Sequence, residues 1–566
     1  MLRLGLIAVF ASAGAALAQT WCGKNYMEGS PIVPPGGQFP IPATSFSPLL
    51  AFRCAPVIKP YLPEDAFTSA AILIDTPIVY SEIAGTAPVG IPEEGPLGVL
   101  SVIIEAEGKR LSTGIVPLNV TKYELSFSLL ELAPKKGIYD VTCSATYAAH
   151  NGLETFTAST ELAYVPSPTD GSSVVKMDAR TGALLAKPAT GNGGDYETVL
   201  PVGFFTGFTN YIAANLSLIN EAQEKGYPTA LAERGTDMTD QIHPIPTFGN
   251  LTQLQEVIAR IEEVGMYLMY DMRWAYMNDT ELTAQVNLVK NSPALLLWYT
   301  GDEPDGSSDP LDAAAHAYDL IYELDGYHPV SLCLNCYDYY WSNYTAGADI
   351  VMQDTYMISN NATFSSEWHT PCTPDFGDCG CDDCKGVFED ISERMDHFAY
   401  RLWVNGWDRS KTVWAVPQAF GDEDSAWDAR YWTGWPTGPE FVLQSALAIN
   451  HGGTGVIAWA APTTDDIWEY ASVLAQSSAT LKEYILNDAA VFQHVFSNQI
   501  DIGLWTVGEK TLVLATNLNY ANEMFDLATV PGLKTAPVVE VLHSGATLEG
   551  SVITFTSVGT GSFIFG

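Results

Sequence analysis

Basic residues are scarce in this chain, and their scarcity limits the partners it can bind. Of 566 residues only 26 are Lys or Arg, against 66 Asp and Glu, which gives a formal net charge of -40. Nucleic acids and anionic membrane surfaces are bound through basic patches, because their phosphates are negatively charged. The composition therefore predicts a protein with no nucleic-acid partner and no membrane partner.

Two kinds of motif are also missing from the sequence. There is no glycine-rich loop of the kind that cradles phosphates, which disfavours an open, doubly wound nucleotide-binding sheet. No group of His and carboxylate residues has the spacing of a metal site. The sequence therefore predicts no cofactor and no metal.

Long apolar runs are absent beyond the first residues. Residues 1–18 hold Arg3, the apolar run Leu4–Phe10 and the ending Ala16-Leu17-Ala18, which is the pattern of a secretory signal peptide. The alternative is a membrane anchor, but the run is shorter than the roughly 20 residues that a span needs. We therefore expect a secreted, extracellular protein. Sequons for N-glycosylation agree with secretion and lie at Asn119, Asn215, Asn250, Asn278, Asn343 and Asn361.

The cysteines form two groups, and secretion favours disulfides over zinc ligands for both. The first group is Cys22, Cys54 and Cys143. We expect Cys22 and Cys54 to tie down an N-terminal arm, and Cys143 to be a buried free thiol. The second group is even in number and is expected to close three bridges among its own members: Cys333, Cys336, Cys372, Cys379, Cys381 and Cys384.

Apolar and polar residues alternate in short runs at both ends of the chain, which predicts β-sandwiches. Residues 19–166 read as a Pro- and Gly-rich arm followed by the first sandwich, and residues 486–566 as the second. A support or a carbohydrate-binding role fits the first sandwich, and support is favoured. Residues 167–198 are rich in Pro, Gly, Ser and Asn and are predicted to be a linker.

Between these regions, residues 199–485 alternate apolar strands with helical patterns, and their length predicts a (β/α)8 TIM barrel. The fold class is therefore α/β, with the barrel flanked by the two sandwiches. Helices are predicted at Leu251–Val264, at Glu440–Asn450 and along the face Val387, Ile391, Met395, Phe398 and Leu402. The eight predicted strands are Val202–Phe205, Gln241–Pro244, Met266–Tyr270, Ala294–Tyr299, Pro329–Leu332, Asp349–Met352, Thr412–Val416 and Gly455–Trp459.

Candidate site residues follow the strands, because a TIM barrel places its active site at the carboxyl ends of its strands. The fourth strand ends abruptly in Asp302, Glu303 and Pro304. Burial beside a strand end, and a neighbouring charge on Asp302, would raise the pKa of Glu303 toward that of a general acid. Asn335 follows the fifth strand. The other candidates are acids, amides and aromatics, which together suit a sugar: His243, Asp271, Arg273, Trp274, Tyr299, Tyr337, Asp354, Tyr356, Gln418 and Trp459.

The stretch from Trp298 to Gly306 resembles the fourth-strand motif of clan A glycoside hydrolases, in which Asn-Glu-Pro ends the strand and the Glu is the acid/base. This resemblance implies a secreted glycoside hydrolase that acts on an oligosaccharide or polysaccharide, with Glu303 as acid/base. Two departures stand out. Asp302 replaces the Asn, and Gln418 follows strand seven, where the clan carries its nucleophilic Glu.

The Asp302–Glu303 pair also resembles that of N-acetylhexosaminidases, which use substrate assistance. There the Glu is the acid, and the Asp orients the acetamido group of the substrate, whose oxygen attacks. This version fits Gln418 and is slightly favoured, and it implies a 2-acetamido sugar.

Two alternatives stay open. In the first, Asp354 acts as base or nucleophile opposite Glu303, and carboxyl separations of about 5 Å or about 6.5–9.5 Å would mean retention or inversion. In the second, the protein is a non-catalytic carbohydrate-binding barrel, which Gln418 would favour.

Overall fold

The computed structural model describes residues 19–68, 70–149, 152–169, 172–230, 232–234, 251–422, 428–534 and 538–566. It is a mixed α/β structure in which antiparallel sheets come first and last, and a curled parallel sheet lies between them. No helix in these residues is long and apolar enough to cross a membrane. The predicted signal peptide, residues 1–18, lies outside them.

Seven strands of the central sheet coincide with predicted ones, and all are parallel. In sheet order they are Tyr267–Asp271, Leu295–Asp302, Val330–Leu334, Ile350–Gln353, Thr412–Ala415, Val456–Ala461 and Val202–Gly207. The two outer strands pair with the short strands Thr229–Ala230 and Ala232–Arg234, which flank residue 231. The predicted second strand, Gln241–Pro244, lies outside the described residues, so the closed eight-stranded barrel stays a prediction.

The strand Leu295–Asp302 shows why these runs read as continuously apolar. Leu297 and Tyr299 pack in one buried cluster with Met352 and Trp414, whereas Trp298 packs in another with residues of the surrounding helices. A parallel strand covered on both faces needs apolar side chains at nearly every position. Only its carboxyl end, at Asp302, leaves this apolar environment.

Helices follow most strands of the central sheet. The predicted amphipathic helix is present as Glu389–Asn405 and buries Ile391, Met395, Phe398 and Leu402, while Val387 precedes it and is exposed. The α-helices are Ser217–Glu224, Leu251–Val264, Asp279–Val289, Ala313–Leu324, Trp341–Thr345, Glu389–Asn405, Gly438–Asn450 and Asp465–Ile485. Shorter helical turns are Pro63–Phe67, Leu129–Glu131, Phe208–Ile212, Asp428–Arg430 and Leu527–Thr529.

The N-terminal region is built of antiparallel sheets with a shared core. In Ile138–Ala149 alternate side chains are buried, as the period-two pattern predicts. The strands are Thr20–Trp21, Lys24–Asn25, Thr44–Ala51, Arg53–Pro56, Ile58–Lys59, Ala70–Asp75, Ile78–Ser81, Thr86–Pro88, Val99–Ala106, Lys109–Pro117, Tyr123–Phe127, Ile138–Ala149 and Gly152–Ala163. Leu50, Ile72 and Val102, from three different sheets, lie in one cluster, so the sheets pack on each other.

Residues 167–198, predicted to be a linker, contain strands. Lys176–Asp178, Ala183–Ala186 and Glu197–Val199 form an antiparallel sheet with Ile58–Lys59 of the N-terminal region. Their apolar side chains Met177 and Leu184 join the cluster that fills the inside of the parallel sheet. This segment therefore covers one end of the central sheet.

The C-terminal region is one antiparallel sheet of six strands. They are Val491–Ser497, Ile500–Val507, Lys510–Asn517, Glu523–Asp526, Val538–Glu549 and Val552–Phe565. A two-stranded hairpin, Phe364–Ser365 with Thr370–Pro371, lies in the long loop after Ile350–Gln353.

The cysteine predictions were wrong in their pairing. Cys54 pairs with Cys143, and Cys22 pairs with Cys336, which belongs to the second group. The remaining bridges are Cys372–Cys379 and Cys381–Cys384, and the buried free thiol is Cys333. Pairing follows proximity in space, which places the arm beside the carboxyl end of Val330–Leu334. The sequon residues Asn119, Asn215, Asn278, Asn343 and Asn361 are exposed, as glycosylation requires.

Candidate active site

Glu303 leaves the strand in a left-handed conformation. Its φ is +49°, and its backbone N–H donates to the carbonyl oxygen of Cys333 at 3.0 Å. A residue other than glycine in this region costs about 1 kcal/mol or more and is held only where the surroundings fix it. The side chain is partly exposed. The end of the strand thus holds a half-buried acidic residue.

One amide nitrogen joins the carboxyl groups of two strand ends. Asn335 Nδ2 donates to Glu303 Oε1 at 3.0 Å and lies 3.4 Å from Asp354 Oδ1. Asn335 follows Val330–Leu334, and Asp354 follows Ile350–Gln353. The structure therefore brings together Glu303 and Asp354, two of the predicted catalytic candidates.

The two carboxyl groups also lie close enough to influence each other's protonation. Burial and the neighbouring charge of Asp302 raise the pKa of Glu303 to about 7, against opposing contributions from Asp354, Arg273 and Asn335. Burial and the charge of Glu303 raise the pKa of Asp354 well above its usual range. Two carboxyl groups this close cannot both ionise easily, so the pair holds one proton near neutral pH.

Asp302 belongs to a separate ionic network. Arg273 forms a salt bridge with Asp302, and its Nη2 lies 2.6 Å from Asp271 Oδ2. The other oxygen of Asp302 accepts from Tyr299 Oη at 2.5 Å. Burial raises the pKa of Asp271 to about 6 despite the adjacent guanidinium. Both oxygens of Asp302 are thus engaged by the protein.

Aromatic rings surround this network. The guanidinium of Arg273 lies 4.6 Å from the ring centre of Trp459 and 5.3 Å from those of Phe205 and Tyr299. Tyr356 packs edge-on against Phe420, with ring centres 4.9 Å apart. Rings that carry partly exposed surface, such as Trp459, suit the apolar faces of a sugar.

Asp305 is a site residue that the strand-end survey missed. It is 1% exposed, and its carboxyl group accepts from the backbone N–H groups of Gly306, Asn335 and Cys336 at 2.9, 3.3 and 2.9 Å. Burial and the charge of Glu303 raise its pKa to about 7. Asp305 fixes the loop that carries Asn335. Its place two residues after Glu303 was the available signal.

The N-terminal arm also reaches the site, which the sequence did not indicate. Trp21 Nε1 donates to Asn335 Oδ1 at 2.9 Å. A side chain at Gly306 would collide with the Trp21 ring, since an added Cβ would lie 2.3 Å from it. The next residue, Cys22, is bonded to Cys336. Trp21 thus fixes the amide of Asn335 so that its N–H groups face the two carboxyl groups.

Other predicted residues take no part in this arrangement. The phenol of Tyr337 meets His397 Nδ1 at 2.9 Å, on the helix Glu389–Asn405, and Trp274 is 60% exposed. Gln418 is fully buried, and its amide bonds the backbone of Ile358, as donor and acceptor at 3.2 Å, and the carbonyl of Phe420. His243 lies outside the described residues.

Among the described residues, two groups of side chains could hold a metal ion. Cys22, Cys336 and Asp382 form one, but its sulfurs are joined in a disulfide. The other is His451, His494 and Asp501, which shares no residue with the carboxyl pair.

Comparison with known proteins gives only remote likenesses. No protein-family model and no curated protein matches the chain. Among solved structures, a candidate alpha-galactosidase from Bacteroides fragilis has a TM-score of 0.43 and 12% identity, covering 93% of this chain and 99% of its own. A family 5 glycoside hydrolase from Bacteroides vulgatus has a TM-score of 0.41 and 12% identity, covering 64% and 89%. A GH30 endoxylanase from Clostridium papyrosolvens has a TM-score of 0.37 and 12% identity, covering 65% and 97%. These TM-scores are too low to assign a family.

The raised pKa values predict that the folded protein loses stability as pH rises from about 4 toward about 7. An acid whose pKa is higher in the folded than in the unfolded protein adds stability, and this contribution is complete at pH values below the unfolded pKa. The contribution is lost as the pH rises through the folded pKa, which is about 7 for Glu303. Glu303→Gln removes one such group, so its Tm should fall less over this range than that of the unchanged protein. Thermal unfolding at several pH values measures this. The exposed Glu224→Gln is the matched control, and an unchanged pH dependence in Glu303→Gln would contradict the assignment.

The position of Trp21 generates a second prediction. Trp21→Phe keeps a ring against Gly306 but removes the N–H that Asn335 accepts, so stability should fall by about 1 kcal/mol. Denaturant unfolding measures the loss. Trp274→Phe, which changes an exposed ring, should leave stability unchanged. Equal stability of Trp21→Phe and the unchanged protein would show that this hydrogen bond does not hold Asn335.

Proposed function

We propose that this protein is a glycoside hydrolase that cleaves O-glycosidic bonds of an oligosaccharide or polysaccharide, with Glu303 and Asp354 as its two carboxyl groups. The observation that carries the proposal is the contact of both groups with one nitrogen, Asn335 Nδ2. Glycoside cleavage needs one protonated and one charged carboxyl group beside the scissile bond. A pair that holds one proton supplies that combination.

Glu303 is assigned as the acid/base and Asp354 as the nucleophile. Glu303 is the more exposed of the two, and the proton that the pair holds must lie on Glu303, with Asp354 charged, when the leaving oxygen is protonated. In the first step Glu303 protonates the leaving oxygen while the Asp354 carboxylate bonds to the anomeric carbon. In the second step Glu303 takes a proton from water, which displaces Asp354 and releases the sugar.

The closeness of the pair supports retention of configuration. Inverting enzymes keep their carboxyl groups about 6.5–9.5 Å apart to admit a water molecule, whereas retaining enzymes keep them about 5 Å apart. Two carboxyl oxygens that both contact one nitrogen belong with the shorter separation. Asn335, between them, is a positioning residue whose N–H also stabilises charge on Glu303.

Asp302 assists through its charge in this scheme. Asp302 forms an ion pair with Arg273 beside Glu303, and the charge of Asp302 raises the pKa of Glu303, which helps Glu303 to retain its proton. Substrate assistance would require Asp302 to contact an acetamido group, although Arg273 and Tyr299 already engage both of its oxygens. These contacts favour Asp354 over the substrate as the nucleophile.

The glutamine at position 418 does not imply that the protein has lost catalytic activity. Its side chain donates to the carbonyls of Ile358 and Phe420 and accepts from the Ile358 N–H, a set of bonds that an amide makes and a carboxylate cannot. A structural role therefore accounts for glutamine here. The non-catalytic carbohydrate-binding alternative is left without a specific supporting observation.

We also propose the architecture around the site and the location of the protein. Pairing of both outer strands with segments that flank residue 231 supports a closed eight-stranded barrel. Packing of the N-terminal antiparallel sheets on a shared core supports a sandwich there, and the single C-terminal sheet has a core of its own. Four disulfides support an oxidising, extracellular setting, for which the signal peptide and glycosylation remain predictions.

The proposal predicts that the purified protein hydrolyses at least one member of a panel of aryl glycosides and natural glycans. Glu303→Gln and Asp354→Asn should each lower kcat by about 100-fold or more, because each removes one partner of a two-group mechanism. Asp309→Asn, which changes an acid outside the pair, serves as the control. Full activity in Glu303→Gln, or no hydrolysis of any substrate, would reject the proposal.

The assigned roles predict distinct responses to azide. With an activated aryl glycoside, Glu303→Ala should be accelerated by azide and give a glycosyl azide of retained configuration. Asp354→Ala should give the inverted azide, because azide then takes the place of the nucleophile. Product NMR distinguishes the two. The opposite pattern would exchange the roles, and cleavage restricted to 2-acetamido sugars with Asp354→Ala still active would favour substrate assistance.

A further inference from the structure

A cluster of two histidine side chains and one aspartate side chain lies where the C-terminal sheet meets the helices of the central region. His451 follows the helix Gly438–Asn450, while His494 and Asp501 lie on the paired strands Val491–Ser497 and Ile500–Val507. Asp501 Oδ2 lies 2.8 Å from His494 Nε2 and 3.1 Å from His451 Nε2. These three atoms lie within 4.8 Å of one another.

Neighbouring groups orient two of these side chains. His451 Nδ1 lies 2.8 Å from Asp396 Oδ1, so its other nitrogen, Nε2, faces the cluster. Asn450 Nδ2 donates to Asp501 Oδ1 at 2.7 Å, so Oδ2 is the oxygen that faces both imidazoles. A carboxylate behind a ligating histidine is the usual outer partner in metal sites, where it fixes the ring and its tautomer.

We propose that His451, His494 and Asp501 form a binding site for a divalent transition-metal ion of the Zn²⁺ class. Two imidazoles and one carboxylate suit Zn²⁺ far better than Ca²⁺ or Mg²⁺, which prefer sets of oxygen ligands. Ligand atoms around a tetrahedral ion with bonds of about 2.1 Å lie about 3.4 Å apart. The present separations of 2.8 and 3.1 Å reach that spacing if the side chains part by a few tenths of an ångström.

Access and a fourth ligand are available from one side. The side chain of His494 is 30% exposed, whereas those of His451 and Asp501 are 11% and 2% exposed. Solvent therefore reaches the cluster along His494, and a water molecule completes four-coordination. Because the ligands come from a helix end and from two strands of the C-terminal sheet, the ion would join these regions and stabilise their contact.

The test uses the whole protein without a polyhistidine tag, treated with a chelator and dialysed. Addition of Zn²⁺ should raise the Tm, and calorimetry should give one ion per chain. Co²⁺ should bind competitively with Zn²⁺ and show the intense visible bands of a four-coordinate site. Ca²⁺ should reproduce neither effect.

Variants locate the ion. His494→Gln changes a partly exposed strand residue and should fold, and it should weaken Zn²⁺ binding by at least 100-fold and abolish the Co²⁺ bands. Asp396→Asn alters only the outer partner of His451 and should weaken binding by about 10–100-fold. His543→Gln, on the strand Val538–Glu549, is the control and should bind as the unchanged protein does.

Three outcomes would overturn the proposal. The first is no saturable binding of Zn²⁺ or Co²⁺ by the folded protein. The second is an equal affinity in His494→Gln, which would mean an adventitious ion only, held by the many surface carboxylates. The third is a six-coordinate Co²⁺ spectrum that the substitutions do not change.

Discussion

The buried guanidinium of Arg273 faces an excess of carboxyl groups at the carboxyl edge of the parallel sheet, and the site depends on how that excess is held. Arg273 bridges Asp271 and Asp302. Buried charges without partners cost several kcal/mol each, so the remaining acids must be neutralised in another way. Asp305 accepts three backbone N–H groups, and burial raises the pKa values of Glu303 and Asp354. Acid chemistry at this edge follows from a shortage of positive charge.

The same constraint explains why distant segments converge on Asn335. Its amide must present N–H groups to Glu303 and Asp354, since a flipped amide would turn its oxygen toward them and add repulsion. The acceptor side is therefore fixed by Trp21, while its backbone is fixed by Asp305 and by Arg394, which donates to the Asn335 carbonyl at 2.7 Å. The disulfide from Cys22 to Cys336 joins residues 314 positions apart and holds Trp21 there. A small arm thereby becomes part of the site.

The strands and the acids at their ends, which depend on local sequence pattern, were predicted from the sequence. Seven strands of the central sheet were predicted because a doubly covered parallel strand must be apolar throughout, and the acids at their ends were found because such runs stop at the sheet edge. What depends on contacts between distant segments was not predicted. Three such contacts are the Cys54–Cys143 disulfide, the hydrogen bond from Trp21 to Asn335 and the hydrogen bond from the Ile358 N–H to Gln418. Each joins segments that are distant in sequence and that only the fold brings together.

Tyr337 shows the limit of reading function from strand ends alone. It follows the same strand as Asn335, two residues further on, yet its ring turns to the helix Glu389–Asn405 beneath Arg401, whose guanidinium lies 5.0 Å from the ring centre. The position of a residue after a strand therefore does not fix the direction of its side chain. For Asn335 the direction is fixed by charge, because an amide between two acids is stable in only one orientation. The net charge of -40 acts in the same sense over the whole molecule, since a negative field opposes ionisation of each further carboxyl group. The net negative charge and the raised pKa values of Glu303 and Asp354 thus both reflect the excess of acidic over basic residues.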